Sequence, residues 1–193
     1  MKIVLIGTQY PDSFAKCISI TLMEMGHDVF TIDEHEIPSI SLLRDESFNL
    51  TKIIDLFEKN FPILGICLGM EMLFKNSEEG ELEGLRIFDG NVIMLPKKKV
   101  KIPHMGWNNL DITNKDSKIL RGIENEAWVY FVHSYYIVPV NKDIIVAKSN
   151  YGKDIPVVIE KDNIFGTQFH PEKSGNNGEK IIKNFLNVCD NKK

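Results

Sequence analysis

The sequence predicts a single α/β domain over residues 1–193, with a mostly parallel central sheet flanked by helices and a smaller antiparallel β extension. Three observations predict it. Short apolar runs alternate with helix-like stretches through the first third of the chain, the pattern of βαβ units. From roughly residue 84 to 170 the chain changes to short β-rich runs separated by turn residues. A length of 193 residues, without repeats, low-complexity tracts or linkers, suffices for one core that needs no disulfide or metal.

The elements follow in order. "KIVLI" (2–6) is a strand, and a helix pattern runs from about Ser13 to Met25, closed by Gly26. "DVFTI" (28–32) is a second strand, "LTKIIDLFEKN" (50–60) a helix, and "PILGI" (62–66) a third strand. In the β-rich part the runs are "NVIMLP", "WVYFVHSYYIVP", "DIIVAKS", "PVVIEKDN" and "IFGTQFH". "GEKIIKNFLNVC" (178–189) closes the chain with a helix.

Composition narrows the function classes. Net charge is −4 and the pI is near 5.8, which argues against a general nucleic-acid or anionic-membrane role. The run Lys97-Lys98-Lys99 is the local exception, expected as a solvated turn, with a docking patch for an acidic partner as the alternative. No apolar run approaches the roughly 20 residues of a membrane span. "MKIVLIG" is expected as a strand and not a signal peptide, so the protein is expected to be cytoplasmic. Three separated cysteines, Cys17, Cys67 and Cys189, suggest neither a disulfide framework nor a C-x-x-C metal site. Without a metal-ligand cluster or a phosphate-cradling glycine loop, no cofactor is expected.

Cys67 is the one cysteine with a chemical context. "GICLGMEMLF" takes the chain from the apolar strand "FPILGI" through Cys67 into a helix-like tail. A nucleophile on such an elbow is pushed clear of the sheet, and the following helix offers backbone N–H groups to a thiolate or an oxyanion. Gly65 and Gly69 are the small neighbours that the tight turn needs. A buried structural cysteine is the competing account of this stretch taken alone. "FGTQFHPEKSG" adds His170 and Glu172, two apart at the end of a β-run, so that both side chains are expected on one face. A thiol, a base and a carboxylate that orients the base make a triad.

With these residues in place, "GICLGMEMLF" and "FGTQFHPEKSG" resemble the class I (triad) glutamine amidotransferases. "SEEGELEGLRIFDGNVIMLP", "KIPHMGWNNL" and "YFVHSYY" are similar to the glutaminase subunits of imidazole glycerol phosphate synthase, and together the motifs cover residues 62 to about 185. The resemblance implies a flavodoxin-like fold and glutamine as substrate. It implies Cys67 as nucleophile, His170 as base and acid, Glu172 as its orienting group and the Leu68 N–H as an oxyanion donor. Gly65, Glu71, His133, Ser134 and Tyr135 are implied beside the substrate. A (β/α)8-barrel partner would receive the ammonia, with Lys101, Trp107 and Lys173 at its interface. Taken as residues alone, Trp107 could equally be core, His133 a satisfied structural histidine and His104 the cap of a loop. His27 and His35 have no supporting context, and Cys17 and Cys189 are expected to be inert.

Three features depart from the family pattern. "IGTQYPDSF" stands where an Asp-Tyr-Gly-x-Gly-Asn loop is usual. No glycine occurs between Gly26 and Gly65, where a Pro-Gly-x-Gly loop would supply a further oxyanion N–H, and "IPSISLL" occupies part of that stretch. Glu71 replaces a usual glutamine, which keeps an acceptor but loses the amide donor. These departures leave two alternatives beside a histidine-pathway glutaminase: a paralogue supplying ammonia to amidino sugars, and a catalytically impaired docking subunit.

Overall fold

The structure, a computed structural model, describes residues 2–6, 19, 23, 26, 28–32, 61–80 and 83–190. The expected helices at 13–25 and 50–60, the "IGTQYPDSF" loop, the "IPSISLL" segment, Cys17, His27 and His35 lie outside those residues, except that Ser19 and Met23 are helical. Gly26 lies in a turn, with its N–H on the Met23 carbonyl at 2.9 Å and φ of +82°, a left-handed conformation that suits a glycine.

The strands are β1 (Lys2–Ile6), β2 (Asp28–Ile32), β3 (Ile63–Ile66), β4 (Phe74–Ser77), β5 (Phe88–Met94), β6 (His104–Asn109), β7 (Asp111–Ile112), β8 (Trp128–His133), β9 (Tyr135–Pro139), β10 (Ile145–Asn150), β11 (Asp154–Lys161) and β12 (Ile164–Thr167). The helices whose full span falls among the described residues are α1 (Leu68–Glu71) and α2 (Gly175–Asp190), with 3₁₀ turns at Lys142–Ile144 and Pro171–Lys173.

Among the described residues the main sheet runs β2-β1-β3-β12-β11-β10-β7. β2, β1, β3 and β12 are parallel, and β11, β10 and β7 continue the same sheet antiparallel. The expected antiparallel extension is therefore partly this half-sheet. The antiparallel two-stranded ribbon β6-β8 adds to it, whereas the three-stranded sheet β4-β5-β9 is mixed, with β4 parallel and β9 antiparallel to β5.

The two faces of the main sheet are covered differently. Phe165 and Leu64 face a cluster that includes Phe185 and Ile181 of α2, with the Phe165 and Phe185 rings edge-on at 5.8 Å. The residues that α2 buries, Gly178, Ile181, Phe185, Leu186 and Cys189, recur at helical spacing, which is why this stretch forms an amphipathic helix. Ile164 and Ile159 instead join Met70 of α1 and Ile137 of β9.

α1 is shorter than the expected helix-like tail. Met70, Leu73 and Phe74 have helical spacing, but Phe74 begins β4, and the carbonyls of Met72 and Leu73 accept from Leu85, Ile87 and Phe88. Tertiary strand pairing ends the helix after one turn, so its dipole contributes less at Cys67 than a long helix would.

Candidate active site

β3 and β12 pair in register, Gly65 opposite Gly166 and Ile66 opposite Thr167, and the candidate residues Cys67 and His170 follow closely from their C-terminal ends. This is the edge at which parallel sheets leave a crevice for ligands. Cys67 comes one residue after β3, anchored by its N–H to the Thr167 carbonyl at 2.7 Å. Its backbone has φ 52° and ψ −110°, a left-handed conformation that side chains rarely adopt, and it is half-buried. Two glycines let α1 sit this close to the sheet. A Cβ on Gly65 would lie 2.5 Å from the Gly69 carbonyl oxygen, and one on Gly166 would lie 2.5 Å from Cγ of Met70.

His170 follows β12 on the neighbouring strand. Its Nδ1 is 2.6 Å from Oε1 of Glu172. The sequence expectation of strand alternation does not explain this contact, because Glu172 lies in the Pro171–Lys173 3₁₀ turn, which His170 caps. The turn is what folds the carboxylate back onto the ring. Glu172 is nearly buried, and its Oε2 has no hydrogen-bond partner. A carboxylate only accepts, so it fixes the proton on Nδ1 and leaves Nε2 with its lone pair.

β8 touches both halves of the site through one edge. The Tyr130 carbonyl accepts from the His170 N–H at 2.9 Å, and Cys67 Sγ lies 3.8 Å from the Val132 carbonyl. Ser174 reinforces the same edge, its hydroxyl donating to the His170 carbonyl at 2.7 Å and accepting from the Tyr130 N–H at 2.9 Å. Ser134 and Tyr135, at the β8–β9 junction, follow immediately. Met94 pairs with Tyr135, and the Ser134 carbonyl accepts from Leu95.

Gln168 is not among the residues that the sequence motifs single out. It is fully buried, and its Nε2 donates to Glu71 Oε1 at 2.8 Å and lies 3.9 Å from Cys67 Sγ. One signal is available: Gln168 is a polar residue inside the apolar run "IFGTQFH". This contact also gives Glu71 a place. Its carboxylate is buried and accepts from the Gln168 amide, one residue past the end of β12.

His104 does not cap a loop. It begins β6 opposite His133, both rings are buried, and His104 Nδ1 is 3.0 Å from His133 Nε2. Burial first, then the neighbouring His133, lowers His104 to a pKa of about 4. Burial chiefly lowers His133 to about 4, opposed by its bond to the Tyr135 carbonyl and assisted by His170. Both rings are neutral near pH 7.

Trp107 is 52% exposed and so is not core. It meets Tyr130 edge-on at 5.9 Å, and Lys173 Nζ lies 5.5 Å from the Tyr130 ring centre. Two expected interface residues, Trp107 and Lys173, thus share one outward face of β6-β8 with exposed Met105 and Trp128. Lys101 stands apart, in the segment before β6, where its carbonyl accepts from the Tyr151 hydroxyl. The Lys97–Lys99 run is an exposed turn. Burial pushes the Cys189 thiol up to about 12, which makes it unreactive. Among the described residues no group of side chains could hold a metal ion, and no helix is long and apolar enough to cross a membrane.

Comparison with known proteins matches residues 44–189 to the family model "Glutamine amidotransferase class-I". The chain is 59% identical over 129 residues to the imidazole glycerol phosphate synthase subunit HisH of Caldanaerobacter subterraneus subsp. tengcongensis, a match covering 66% of this chain and 63% of the relative. It is 51% identical to the HisH subunit of Methanocaldococcus jannaschii, covering 70% and 68% of the two chains, and 42% identical to that of Geobacillus kaustophilus, covering 79% and 77%. The chain therefore spans less than two thirds of the first relative's length. The crystal structure of a glutamine amidotransferase from Thermotoga maritima shares the fold, with a TM-score of 0.60 at 15% identity over 98% of this chain and 85% of that one.

Proposed function

We propose, from the premise that this chain belongs to the class-I glutamine amidotransferases and is related to the HisH subunits of imidazole glycerol phosphate synthase, that it is the glutaminase subunit of such an enzyme. Cys67 gives its thiol proton to His170 Nε2, and the thiolate attacks the side-chain amide carbon of glutamine. The Leu68 N–H stabilises the oxyanion. The tetrahedral intermediate collapses as His170 returns the proton to the leaving nitrogen, releasing ammonia and leaving a glutamyl thioester on Cys67. His170 then draws a proton from water, which attacks the thioester, and protonation of the sulfur releases glutamate. Glu172 stabilises the imidazolium in both halves. Gly65, Glu71, His133, Ser134 and Tyr135 form the surroundings of the substrate.

One observation carries this function: the Cys67 elbow and the His170–Glu172 pair, 2.6 Å apart within itself, leave adjacent parallel strands at the same sheet edge. The ammonia passes to a (β/α)8-barrel synthase that docks through the face bearing Trp107 and Lys173, with Lys101 at its margin. The relatives' names favour imidazole glycerol phosphate synthesis over the amidino-sugar pathway.

The test is glutamate release from glutamine by the protein alone, and then with the barrel synthase and its acceptor substrate. A large stimulation in the complex, abolished by Cys67→Ala, is the expected result. No release in either setting, with ammonia-dependent synthesis by the barrel intact, would establish a docking role instead.

A further inference from the structure

The His133 ring is held at both nitrogens. Its Nδ1 is 2.7 Å from the Tyr135 carbonyl, and because a carbonyl only accepts, the proton of the neutral ring is on Nδ1. Nε2 is then a bare acceptor, and His104 Nδ1 reaches it at 3.0 Å, so His104 also carries its proton on Nδ1. His104 Nε2 is left as an acceptor facing Asn108 Nδ2 at 3.5 Å. Asn108 has a fixed orientation, with Nδ2 donating to the Asn150 carbonyl at 2.9 Å and Oδ1 accepting from the Asn109 N–H at 2.9 Å. Every donor in this chain points the same way, from β6 towards Tyr135. The His104 ring is stacked between Phe131, with centroids 4.6 Å apart, and Tyr151, at 3.8 Å.

The far end of the chain lies beside the nucleophile. Val132, whose carbonyl is 3.8 Å from Cys67 Sγ, precedes His133, and Ser134 separates His133 from the Tyr135 carbonyl that it holds. We propose that His104 is a positioning residue for glutamine hydrolysis: by donating from Nδ1 to His133 Nε2 it fixes the ring that ties Tyr135 to the end of β8, and so sets the wall of the site next to Cys67. His104 has this role only if the protein is the glutaminase proposed above. The low proton affinity of both buried rings keeps the chain neutral and its directions unreversed at working pH.

Two substitutions separate positioning from packing. His104→Phe keeps an aromatic ring between Phe131 and Tyr151 but removes the donor, whereas His104→Asn loses the stack but places an amide donor near the Nδ1 position. In the complex with the barrel synthase, His104→Phe is expected to lower kcat/KM for glutamine about 10- to 100-fold, the scale of a small misplacement at a reacting centre. His104→Asn is expected to recover most of that loss. A packing role predicts the opposite order, and either that order or wild-type kcat/KM in His104→Phe would overturn the proposal. If the unsubstituted complex released no glutamate, the glutaminase assignment itself would fall, and the positioning role with it. Should His104→Phe not fold, ¹⁵N imidazole shifts of the unsubstituted protein decide: protons on Nδ1 of both histidines are expected, and an Nε2–H on His133 would refute the chain.

Discussion

His170 Nδ1 and Glu172 Oε1 are 2.6 Å apart because a 3₁₀ turn, and not a strand, carries the carboxylate back to the ring. A glutamine at position 172 has no charge to stabilise the imidazolium, and where its amide N–H faces Nδ1 it moves the imidazole proton to Nε2, where the base is needed. Glu172→Gln is therefore expected to lower kcat for glutamine hydrolysis about 10³- to 10⁴-fold. The thermal midpoint should stay near that of the unsubstituted protein. A loss under about tenfold would remove Glu172 from the reaction.

Glu71 and Gln168 form a buried pair across α1 and the end of β12. Glu71→Ala leaves the Gln168 amide without its acceptor and is expected to cost about 1–3 kcal/mol in urea unfolding. Glu71→Gln keeps an acceptor oxygen and restores the residue usual in the family. Its stability should change by less than about 1 kcal/mol, within the range of one ordinary hydrogen bond. Equal losses in the two variants would show that charge, and not the hydrogen bond, matters at this position.

Gly65 has no room for a methyl group, because the atoms in the way are the backbone of Gly69 and Met70 and not a flexible side chain. Gly65→Ala is expected to destabilise the fold by about 1–3 kcal/mol, the usual cost of overpacking. It should also lower glutaminase activity more than Gly178→Ala does, although Gly178 is the more tightly crowded of the two, by the Pro171 carbonyl. Parallel measurements of unfolding midpoint and kcat for the two variants test this order.

Acid weakens the His104–His133 pair. Both rings have a folded pKa of about 4 against an ordinary 6.5, so the unfolded chain binds their protons more readily. The stability they confer is complete above pH 6.5 and is lost as pH falls towards 4. At about pH 5 the loss is about 2 kcal/mol for each ring by proton linkage. Urea unfolding at about pH 7.5 and about pH 5 should show a smaller acid loss in His104→Phe than in the unsubstituted protein. Identical acid losses would mean that the rings titrate normally.

The parts of the fold legible in the sequence are those that local pattern determines. β1 and β2 fall where apolar runs are bounded by polar residues, and α2 differs from its expected span chiefly at its start, where Gly175, Asn176 and Asn177 carry no apolar period. Tertiary structure overrides local pattern at α1, where Leu73 and Phe74 belong to a helical stripe by spacing and to a strand by partner. Cys67, His170 and Glu172 are legible because each sits in a short motif with its own chemistry. The His104–His133 contact is not, since 29 residues separate its partners and only the β6-β8 register brings them together. Gln168 does not stand out because a polar residue at a strand end has many ordinary explanations.

The left-handed backbone at Cys67 has a consequence for how such a protein ages in evolution. A conformation of this kind costs of order 1–3 kcal/mol in a residue with a side chain and almost nothing in glycine. Replacing Cys67 by glycine should thus raise the unfolding midpoint while abolishing hydrolysis, and a lower midpoint would refute the strain. Losing the reaction relaxes the fold. On the function proposed above, a lineage that acquired ammonia from another source would meet no strain penalty at this position on the way to a silent, well-folded descendant, and demand for glutamine nitrogen would be what keeps the thiol in place.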